Sequence, residues 1–213
     1  MGEAMNVLHE KTNLPAICGR VCPHEKQCEG HCVLGKKGRP VRIGKLESFI
    51  AQFDSDMQLT HERIPEKTRG KVAIIGSGPA GLTVAGDLAR QGFHVTIFEG
   101  QPEAGGVLMY GIPEYRLPKA VVRNEIKKIE DLGVHFVRNC LVGTPESGVT
   151  VDSLFAEGFD AIFMGTGTAL PQNLSIPGSD LRRVTQSTDF LHNVNAYVEG
   201  ALPMEMVPLR KGD

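Results

Sequence analysis

The segment Lys71–Glu99 constrains the fold more than any other part of the chain. A short apolar run, Val72–Ile75, predicts a buried strand, and it leads into a G-x-G-x-x-G turn at positions 76–81. The segment Leu82–Arg90 predicts a helix, and Val95–Phe98 predicts a second strand. Two short apolar strands joined by a glycine turn and one helix are typical of a β-α-β unit in a parallel sheet.

The glycine turn has the chemistry of a dinucleotide site. Gly76 permits the tight turn, Gly78 lets the backbone approach a pyrophosphate, and Gly81 lets the helix pack closely on the strand. Free N–H groups at the start of the helix face the phosphates. Glu99 ends the second strand, where an acidic residue binds a ribose hydroxyl in such folds. The pattern by itself fits NAD and FAD equally well.

Four of the five cysteines lie close together near the N-terminus: Cys18, Cys22, Cys28 and Cys32. Disulfides are not expected in a reducing cytosol, so the spacing C-x3-C-x5-C-x3-C indicates a metal centre. Zinc usually takes closer pairs separated by a longer loop, whereas close thiolates also suit iron–sulfur clusters, although the ferredoxin spacing differs. The spacing leaves both open. Cys140 lies alone in a predicted strand, Val134–Val142, and is interpreted as a core thiol.

A helix is predicted between the cysteines and the glycine turn, at Gly44–Met57. Its apolar residues recur with helical period and predict a stripe that faces the core: Leu46, Phe49, Ile50, Phe53 and Met57. Glu47 lies beside this stripe, and periodicity alone favours a surface acid there. The polar segment Thr60–Arg69 contains Pro65 and predicts a linker.

The segment Gly105–Lys119 predicts a ligand-binding loop. It combines paired glycines with two prolines, and such loops at the carboxyl ends of parallel strands commonly bind ligands. An ordinary crossover connection is the alternative. A helix is predicted at Lys119–Leu132, and a buried strand at Phe159–Met164 ends in a second glycine turn, Gly165–Thr168.

Charge and hydropathy exclude several classes of partner. The net charge of −2 gives no reason to expect nucleic acid or an acidic membrane surface. No apolar run approaches the ~20 residues of a membrane span, and the N-terminus has acidic residues where a signal peptide has basic ones. We therefore expect a cytoplasmic protein that binds neither nucleic acid nor a membrane.

Four segments together resemble one group of flavin and iron–sulfur oxidoreductases. They are LPAICGRVCPHEKQCEGHC at Leu14–Cys32, RPVRIGKLESF at Arg39–Phe49, VAIIGSGPAGL at Val72–Leu82 and GGVLMYGIPEYRLPK at Gly105–Lys119. The chain is thereby similar to the small (beta) subunit of bacterial NADPH-dependent glutamate synthase. It is also similar to the large subunit of NADH-dependent ferredoxin:NADP oxidoreductase and to the N-terminal part of dihydropyrimidine dehydrogenase. The resemblance covers nearly the whole chain.

The resemblance implies FAD in the site at the glycine turn. It implies that the turn holds the pyrophosphate, that Glu99 holds the adenosine ribose and that Val142 reaches the adenine. Further implied contacts come from the Gly105–Lys119 segment and from the turn after the Phe159–Met164 strand. The residues implied to bind FAD are Gly76, Ser77, Gly78, Pro79, Ala80, Gly81, Glu99, Gly106, Val107, Leu108, Arg116, Val142, Thr166 and Gly167.

The resemblance also implies two [4Fe–4S] clusters beside the flavin in the complete protein. Cys22, Cys28 and Glu47 match ligands of one cluster, and Cys32 matches a ligand of the other. Cys18 matches a position that is not a ligand in the relatives, and it stays a further candidate. No catalytic side chain is implied, because the cofactors carry the redox chemistry.

The chain departs from the family pattern at both ends. Family members carry a further cysteine-rich motif ahead of the point where this chain begins. They also carry a second G-x-G-x-x-G/A domain for NADPH after the position of Ala196–Leu209, and a return segment that completes the FAD site. We therefore expect a truncated chain without the NADPH site. We expect the clusters in the complete protein, and not from the ligands of this chain alone.

These observations predict an α/β fold with two parts. A small helical Cys-rich iron–sulfur module, residues 1–66, precedes an incomplete Rossmann-like FAD-binding domain, residues 67–213. The expected function is the FAD-binding, iron–sulfur-linked electron-transfer portion of a glutamate-synthase-beta-like NAD(P)H oxidoreductase. The expected partner is a redox subunit or the NADPH-binding domain, and self-association into a homo-oligomer is also expected. Two alternatives stay open: a non-catalytic electron-transfer or assembly module, and an NAD(P)-binding protein with a structural zinc.

Overall fold

The structure is a computed structural model that describes residues 1–60, 62–144, 148–168, 170–172, 174–181 and 184–207. None of the helices in these ranges combines the length and the apolar character needed to span a bilayer. The elements follow in the order α1 (Gly2–His9), α2 (Pro15–Val21), α3 (Ile43–Met57), β1 (Lys71–Ile75), α4 (Pro79–Arg90), β2 (His94–Phe98), α5 (Val107–Tyr110), α6 (Lys119–Asp131), β3 (His135–Val137), α7 (Val151–Ala156), β4 (Ala161–Met164) and α8 (Ser187–Val198).

Four parallel strands form the sheet of the described chain, in the order β3-β2-β1-β4. β1 pairs with β2 from Lys71 opposite His94 to Ile75 opposite Phe98, and it pairs with β4 on its other side. Along the chain, β2 and β3 are added on one side of β1, and β4 is then added on its other side. The strand order therefore reverses direction at β1. Doubly wound sheets bind ligands at such a reversal, outside the carboxyl ends of the strands. The predicted α/β, Rossmann-like fold is confirmed.

Side chains alternate between the two faces of the sheet and build two cores. The main core takes from one face Val72, Ile74, Val95 and Ile97. The second core takes from the other face Ala73, Ile75 and Phe98. Leu82 of α4 and Ile126 of α6 cover the first face, and Leu154 of α7 covers the second. Because β1 and β2 are buried on both faces, their sequences are continuous apolar runs.

The strand predicted at Val134–Val142 is shorter than its apolar pattern indicates. Only His135–Val137 pairs with β2, because Asn139 adopts a left-handed conformation with φ of 55° and ends the strand. Cys140, which follows this turn, is half-buried beside the second core. Its packing against apolar neighbours agrees with the predicted core thiol.

The strand predicted at Phe159–Met164 is not fully buried. It begins at Ala161 as β4 and forms one edge of the described sheet, where Met164 is 68% exposed. The apolar composition of this segment predicted burial on both faces. In the structure Phe159 and Ile162 pack against the second core and Phe163 packs against the main core, and all three are only partly buried.

Helix α3 turns a different face inward from the one that its apolar periodicity predicts. Three members of the predicted stripe are more than half exposed: Leu46, Phe49 and Met57. The helix instead buries Gly44, Ala51 and Asp54. The reason is its close crossing with α2, where a Cβ on Gly19 would lie 2.4 Å from the backbone nitrogen of Ser48. Helix axes approach this closely only through small residues, so the large side chains of α3 point away from α2.

The predicted linker Thr60–Arg69 is tied to α4 in its described part. Glu62 forms a two-pronged ion pair with Arg90, at 2.5 Å from Nε and 2.7 Å from Nη2. Lys67 Nζ donates to the carbonyl oxygen of Ala89 at 2.7 Å. The segment therefore follows the end of α4 before it enters β1.

The N-terminal helices share the main core with the sheet and are also joined to it by polar contacts. Two residues of this module enter the main core: Leu14 and Ile17. Asn13 Nδ2 donates to the carbonyl oxygen of Thr83 at 2.9 Å and to Asp87 Oδ1 at 2.8 Å, and its own Oδ1 accepts a hydrogen bond from Arg90. Asn13 thus fixes the start of α2 to α4, the helix that begins at the glycine turn.

Glu125 of α6 makes a second polar contact with α2. Its carboxylate is fully buried, and Oε2 accepts the backbone N–H of Ala16 at 3.1 Å. Oε1 lies 3.0 Å from Lys128 Nζ, within ion-pair distance but outside hydrogen-bond geometry. Burial raises the pKa of Glu125, and the charge of Lys128 opposes that rise. α2 is therefore held between α4 and α6 by polar groups as well as by the core.

Replacing Asn13 with alanine is expected to lower the free energy of unfolding by about 1–3 kcal/mol, because polar groups of α4 lose their partners in a buried contact. Denaturant unfolding followed by circular dichroism measures the change. Asn6→Ala on the exposed face of α1 is the matched control and should stay within about 0.5 kcal/mol of the parent chain. Equal losses in the two variants would contradict this role of Asn13.

Replacing Glu125 with glutamine is expected to change how stability depends on pH. The pKa of this carboxyl is higher in the folded than in the unfolded chain, so the folded state binds the proton more tightly. The resulting stabilisation is present below the unfolded pKa and is lost as pH rises through the folded pKa. Thermal melting from acidic to neutral pH should therefore show a smaller loss of stability in Glu125→Gln than in the parent chain. Parallel profiles would contradict this prediction.

Candidate dinucleotide site and thiolate cluster

The glycine turn lies between β1 and α4, at the carboxyl edge of the sheet beside β4. The N–H of Gly76 donates to the carbonyl oxygen of Phe98 at 2.8 Å. A Cβ on Gly76, whose φ is 96°, would lie 2.5 Å from the carbonyl oxygen of Gly165, and a Cβ on Gly81 would lie 2.0 Å from that of Gly76. Neither position accepts a side chain. The start of α4 is therefore pressed against the ends of β1 and β4.

Gly78, in contrast, faces open space. A Cβ at this position would meet no heavy atom within 4 Å. Pro79 and Ala80 are exposed at the start of α4, where the first N–H groups of a helix have no intrahelical partner. The space in front of Gly78 combines these donors with the positive end of the helix dipole. It fits an anionic diphosphate such as the pyrophosphate of FAD.

Ser77 and Glu99 form a buried hydrogen-bonded network beneath the turn. Ser77 is fully buried, and its N–H, at 3.0 Å, and its hydroxyl both donate to Glu99 Oε2. The N–H of Gln101 donates to Glu99 Oε1 at 2.8 Å, and the N–H of Gly105 donates to Ser77 Oγ at 2.9 Å. The predicted ribose-binding acid is thus held at the end of β2 in a fixed orientation.

The segment Gly105–Lys119 folds over the glycine turn and contains helix α5. Gly106 has a φ of 53°, and a Cβ on it would lie 2.9 Å from the Cα of Gly78. In α5, Leu108 is buried and Val107 is exposed. The predicted ligand-binding segment therefore forms one wall of the space at Gly78.

Lys119 holds this segment in place, although the sequence pattern gave no role to it. Its buried Nζ donates to the carbonyl oxygen of Leu108 at 3.0 Å and to that of Ile112, and its N–H donates to Glu114 Oε2 at 2.8 Å. Burial lowers the pKa of Lys119, and the charge of Glu114 opposes that change. A lysine in the first turn of α6 is disfavoured by the helix dipole. A lysine at such an unfavourable position is the sequence signal that could have indicated the structural role of Lys119.

The other predicted FAD contacts lie around the same edge but are not all joined to the network. Thr166 and Gly167 follow β4 and are exposed. Val142 is half-buried against the second core, and its segment reaches β2 through the N–H of Cys140, which donates to the carbonyl oxygen of Glu99 at 2.8 Å. Arg116 is exposed. Its guanidinium joins none of the hydrogen bonds or ion pairs found in the described ranges.

The thiol of Cys22, at the end of α2, lies near the thiols of Cys18 and Cys28 and the carboxyl group of Glu47. Burial, together with the charge and hydrogen bond of Cys18 and the charges of Glu47 and Cys28, raises the pKa of Cys22 to about 11. Several potential anions therefore converge on Cys22. A cationic centre placed among them would reverse this effect and favour the thiolate.

Glu47 and Cys32 have different surroundings. Burial raises the pKa of Glu47, and the charge of His24 opposes that rise. Glu47 is thus half-buried beside the thiols, and it is not the plain surface acid that periodicity favours. Hydrogen bonds from backbone N–H groups, chiefly that of Val41, lower the pKa of Cys32. Cys32 therefore has different neighbours from Cys22, and its role in a second centre stays a prediction.

The predicted ligands are not in coordination geometry. Within the part of the chain that the structure describes, no group of three or more His, Cys, Asp or Glu side chains could hold a metal ion as it stands. Cys22, Cys28 and Glu47 are electrostatic neighbours. Their soft thiolates fit an iron–sulfur cluster by donor chemistry. Coordination by them stays a prediction.

Two protein families match the chain in sequence. Residues 1–59 match the family described as dihydropyrimidine dehydrogenase domain II, 4Fe-4S cluster. Residues 70–207 match the family described as pyridine nucleotide-disulphide oxidoreductase. The matches confirm the predicted order, in which an iron–sulfur module precedes a Rossmann-like domain. They also confirm FAD and a [4Fe–4S] cluster as the cofactors of this kind of chain.

The chain is similar in sequence to individual proteins of the groups that its motifs resemble. The chain is 36% identical over 211 residues to the NAD-dependent dihydropyrimidine dehydrogenase subunit PreT of Escherichia coli, covering 99% of this chain and 50% of PreT. It is 40% identical over 190 residues to the glutamate synthase [NADPH] small chain of Bacillus subtilis, covering 89% and 37%. The structure of Mycobacterium tuberculosis FprA in complex with NADPH is 26% identical with a TM-score of 0.53, covering 63% and 31%. The chain thus spans between about a third and a half of the length of these proteins.

Alanine substitutions at two glycines of the turn are expected to separate folding from ligand binding. Gly81→Ala should destabilise the fold by about 3 kcal/mol or more, because its methyl group overlaps the backbone of Gly76. Gly78→Ala has open space and an ordinary φ of −66°, so it should change stability by less than about 1 kcal/mol. Denaturant unfolding without added nucleotide measures both. Comparable losses in the two variants would contradict the packing described for the turn.

Proposed function

The chain belongs to the pyridine nucleotide-disulphide oxidoreductase family, and we propose that it binds FAD and carries electrons between this flavin and an iron–sulfur cluster held by its N-terminal module. The observation that carries the proposal is the open space at Gly78. The start of α4 and Gly106 border that space, and a fixed acid, Glu99, lies at the adjacent strand end. The division proposed for the two parts is residues 1–66 and 67–213.

FAD suits this space because the backbone at Gly78 is open and the start of α4 favours a negative charge. The positions from Gly76 to Gly81 would hold the pyrophosphate, Glu99 the adenosine ribose and Val142 the adenine. Gly106, Val107, Leu108, Arg116, Thr166 and Gly167 would line the rest of the cofactor. When bound, FAD supplies hydride and single-electron chemistry. The chain contributes the dipole of α4, the orientation of Glu99 and the wall that Lys119 anchors.

The thiolate module fits an iron–sulfur cluster by its donor set. Cys22, Cys28 and Glu47 would hold one cluster, and Cys32 would serve a second, with Cys18 as a further candidate. Metal binding requires deprotonated thiols, and the pKa of Cys22 near 11 means that the cluster itself must displace that proton. Thiol ligands also require a reducing compartment, so the proposal includes a cytoplasmic location.

Electron transfer to a partner completes the proposal. Two of the relatives are named as parts of assemblies, a dihydropyrimidine dehydrogenase subunit and a glutamate synthase small chain. By analogy, NAD(P)H would reduce the flavin through a nucleotide domain or subunit, and the clusters would pass electrons onward to a redox partner. α2 supports this route, because it contains Cys18 and ends at Cys22, and Asn13 at its start joins it to α4, which begins at the FAD site.

The experiment is anaerobic purification followed by a visible spectrum and metal analysis. We expect flavin absorption that resolves as one FAD per chain, and iron in preference to zinc after reconstitution with iron and sulfide. Gly78→Ala should weaken FAD binding by about tenfold or more, because its methyl group fills the space through which the backbone approaches the pyrophosphate.

Gly38→Ala is the matched control for this test. A Cβ at Gly38 would have its nearest neighbour at 4.0 Å, and Gly38 belongs to the N-terminal module and not to the turn, so FAD affinity should not change. Zinc without flavin in the parent chain would refute the proposal. Normal FAD affinity in Gly78→Ala would refute the assignment of the site.

A further inference from the structure

We propose that Ser77 is a positioning residue that orients Glu99 toward the adenosine ribose and joins the glycine turn to the Gly105–Gly106 wall. The inference rests on the proposed FAD site and deepens it. The family resemblance implies that Ser77 holds the pyrophosphate together with the rest of the glycine turn. Its side chain has a different set of contacts.

The hydroxyl of Ser77 is fully engaged inside the protein. Ser77 is completely buried. Its hydroxyl donates its one proton to Glu99 Oε2, and its oxygen accepts the N–H of Gly105 at 2.9 Å. A hydroxyl has a single proton to give. The Ser77 side chain therefore has no donor left for a phosphate oxygen, and only its backbone can take part in the turn's anion site.

These contacts leave Glu99 with one way to bind a ligand. A carboxylate offers about four acceptor positions. Ser77 fills two of them on Oε2 through its N–H and its hydroxyl, and the N–H of Gln101 fills one on Oε1. The position that remains is on Oε1. Ser77 thus decides which oxygen of the buried carboxylate is presented to a ribose hydroxyl.

The same hydroxyl couples three segments that are far apart in sequence. It belongs to the turn after β1, it holds the acid at the end of β2, and it accepts the N–H of Gly105, next to Gly106. Gly106 in turn lies against Gly78. Alanine at position 77 would remove the hydroxyl bond to Glu99 Oε2 and keep only the backbone N–H bond to it, and it would leave the N–H of Gly105 without its acceptor. Threonine would add a methyl group where the side chain is already fully enclosed.

A plain structural serine would also stabilise the turn, so the test must isolate the action through Glu99. We compare FAD affinity, by quenching of flavin fluorescence, in the parent chain, Ser77→Ala, Glu99→Gln and the double variant. Ser77→Ala should weaken FAD binding about ten- to hundredfold, because hydrogen bonds to charged groups are the strong ones. In the Glu99→Gln background the same substitution should cost only about twofold, since the charged acceptor is gone.

Ser55→Ala is the matched control. It removes one serine hydroxyl from a hydrogen bond with Asn124 at the contact between α3 and α6, and it should leave FAD affinity unchanged. Ser77→Cys keeps a similar volume with a weaker donor, and it should show an intermediate loss. Thermal melting without FAD reports folding in every variant. If Ser77→Ala does not fold, Ser77→Cys takes its place in the cycle.

Each outcome separates this inference from the proposed function. A parent chain that does not bind FAD would overturn the proposed function, and the inference with it. A parent chain that binds FAD while Ser77→Ala binds it equally well would overturn the inference alone. Equal losses from Ser77→Ala in both backgrounds would mean that Ser77 acts on the turn without Glu99, which also overturns the inference. Strong coupling between the two positions would support it.

Discussion

The attachment of α2 to α4 and α6 is the constraint on which the rest of the molecule depends. α2 contributes Ile17 to the core under the sheet, and its start is fixed to α4 by Asn13. On its other side, the buried carboxylate of Glu125 holds the N–H of Ala16. α2 contains Cys18 and ends at Cys22, and α4, to which Asn13 joins it, begins at the glycine turn. The two candidate cofactor sites are therefore joined through one core and its polar contacts.

Much of the sheet could be predicted from the sequence, because its signals are local. The apolar runs of β1 and β2, the turn between them and the periodic face of α6 each reflect burial that neighbouring residues share. The face of α3 could not be predicted in this way. Periodicity ranks residues by apolar character, whereas Gly44 and Ala51 face inward because the crossing at Gly19 leaves room only for small groups. The early end of β3 at Asn139 depends on one backbone conformation that the apolar pattern does not encode.

In the candidate site, too, the residues with a local sequence signal could be predicted and those with distant partners could not. The glycine turn and Glu99 were found from spacing, since each glycine answers a local steric need. The partners of Ser77 and Lys119 were not, because a hydroxyl or an ammonium group gives no periodic signal and its partners lie elsewhere in the chain. For the cysteines, the sequence indicates more than the structure shows. Their spacing and resemblance indicate a cluster, but in the described chain the side chains of Cys22, Cys28 and Glu47 are electrostatic neighbours that do not form a coordination group.

The way in which the N-terminal module joins the sheet also has a consequence for folding. Glu125 and Ala16 are 109 residues apart in sequence, and Asn13 and Asp87 are 74 apart. Helices α1 and α2 are made before α4 and α6, so the apolar face of α2 stays uncovered until those later helices emerge. Contacts of such high sequence separation slow folding and leave apolar surface exposed during synthesis. The thiols near α2 also stay free of their later neighbours during this interval, and a reducing solvent protects such thiols from oxidation.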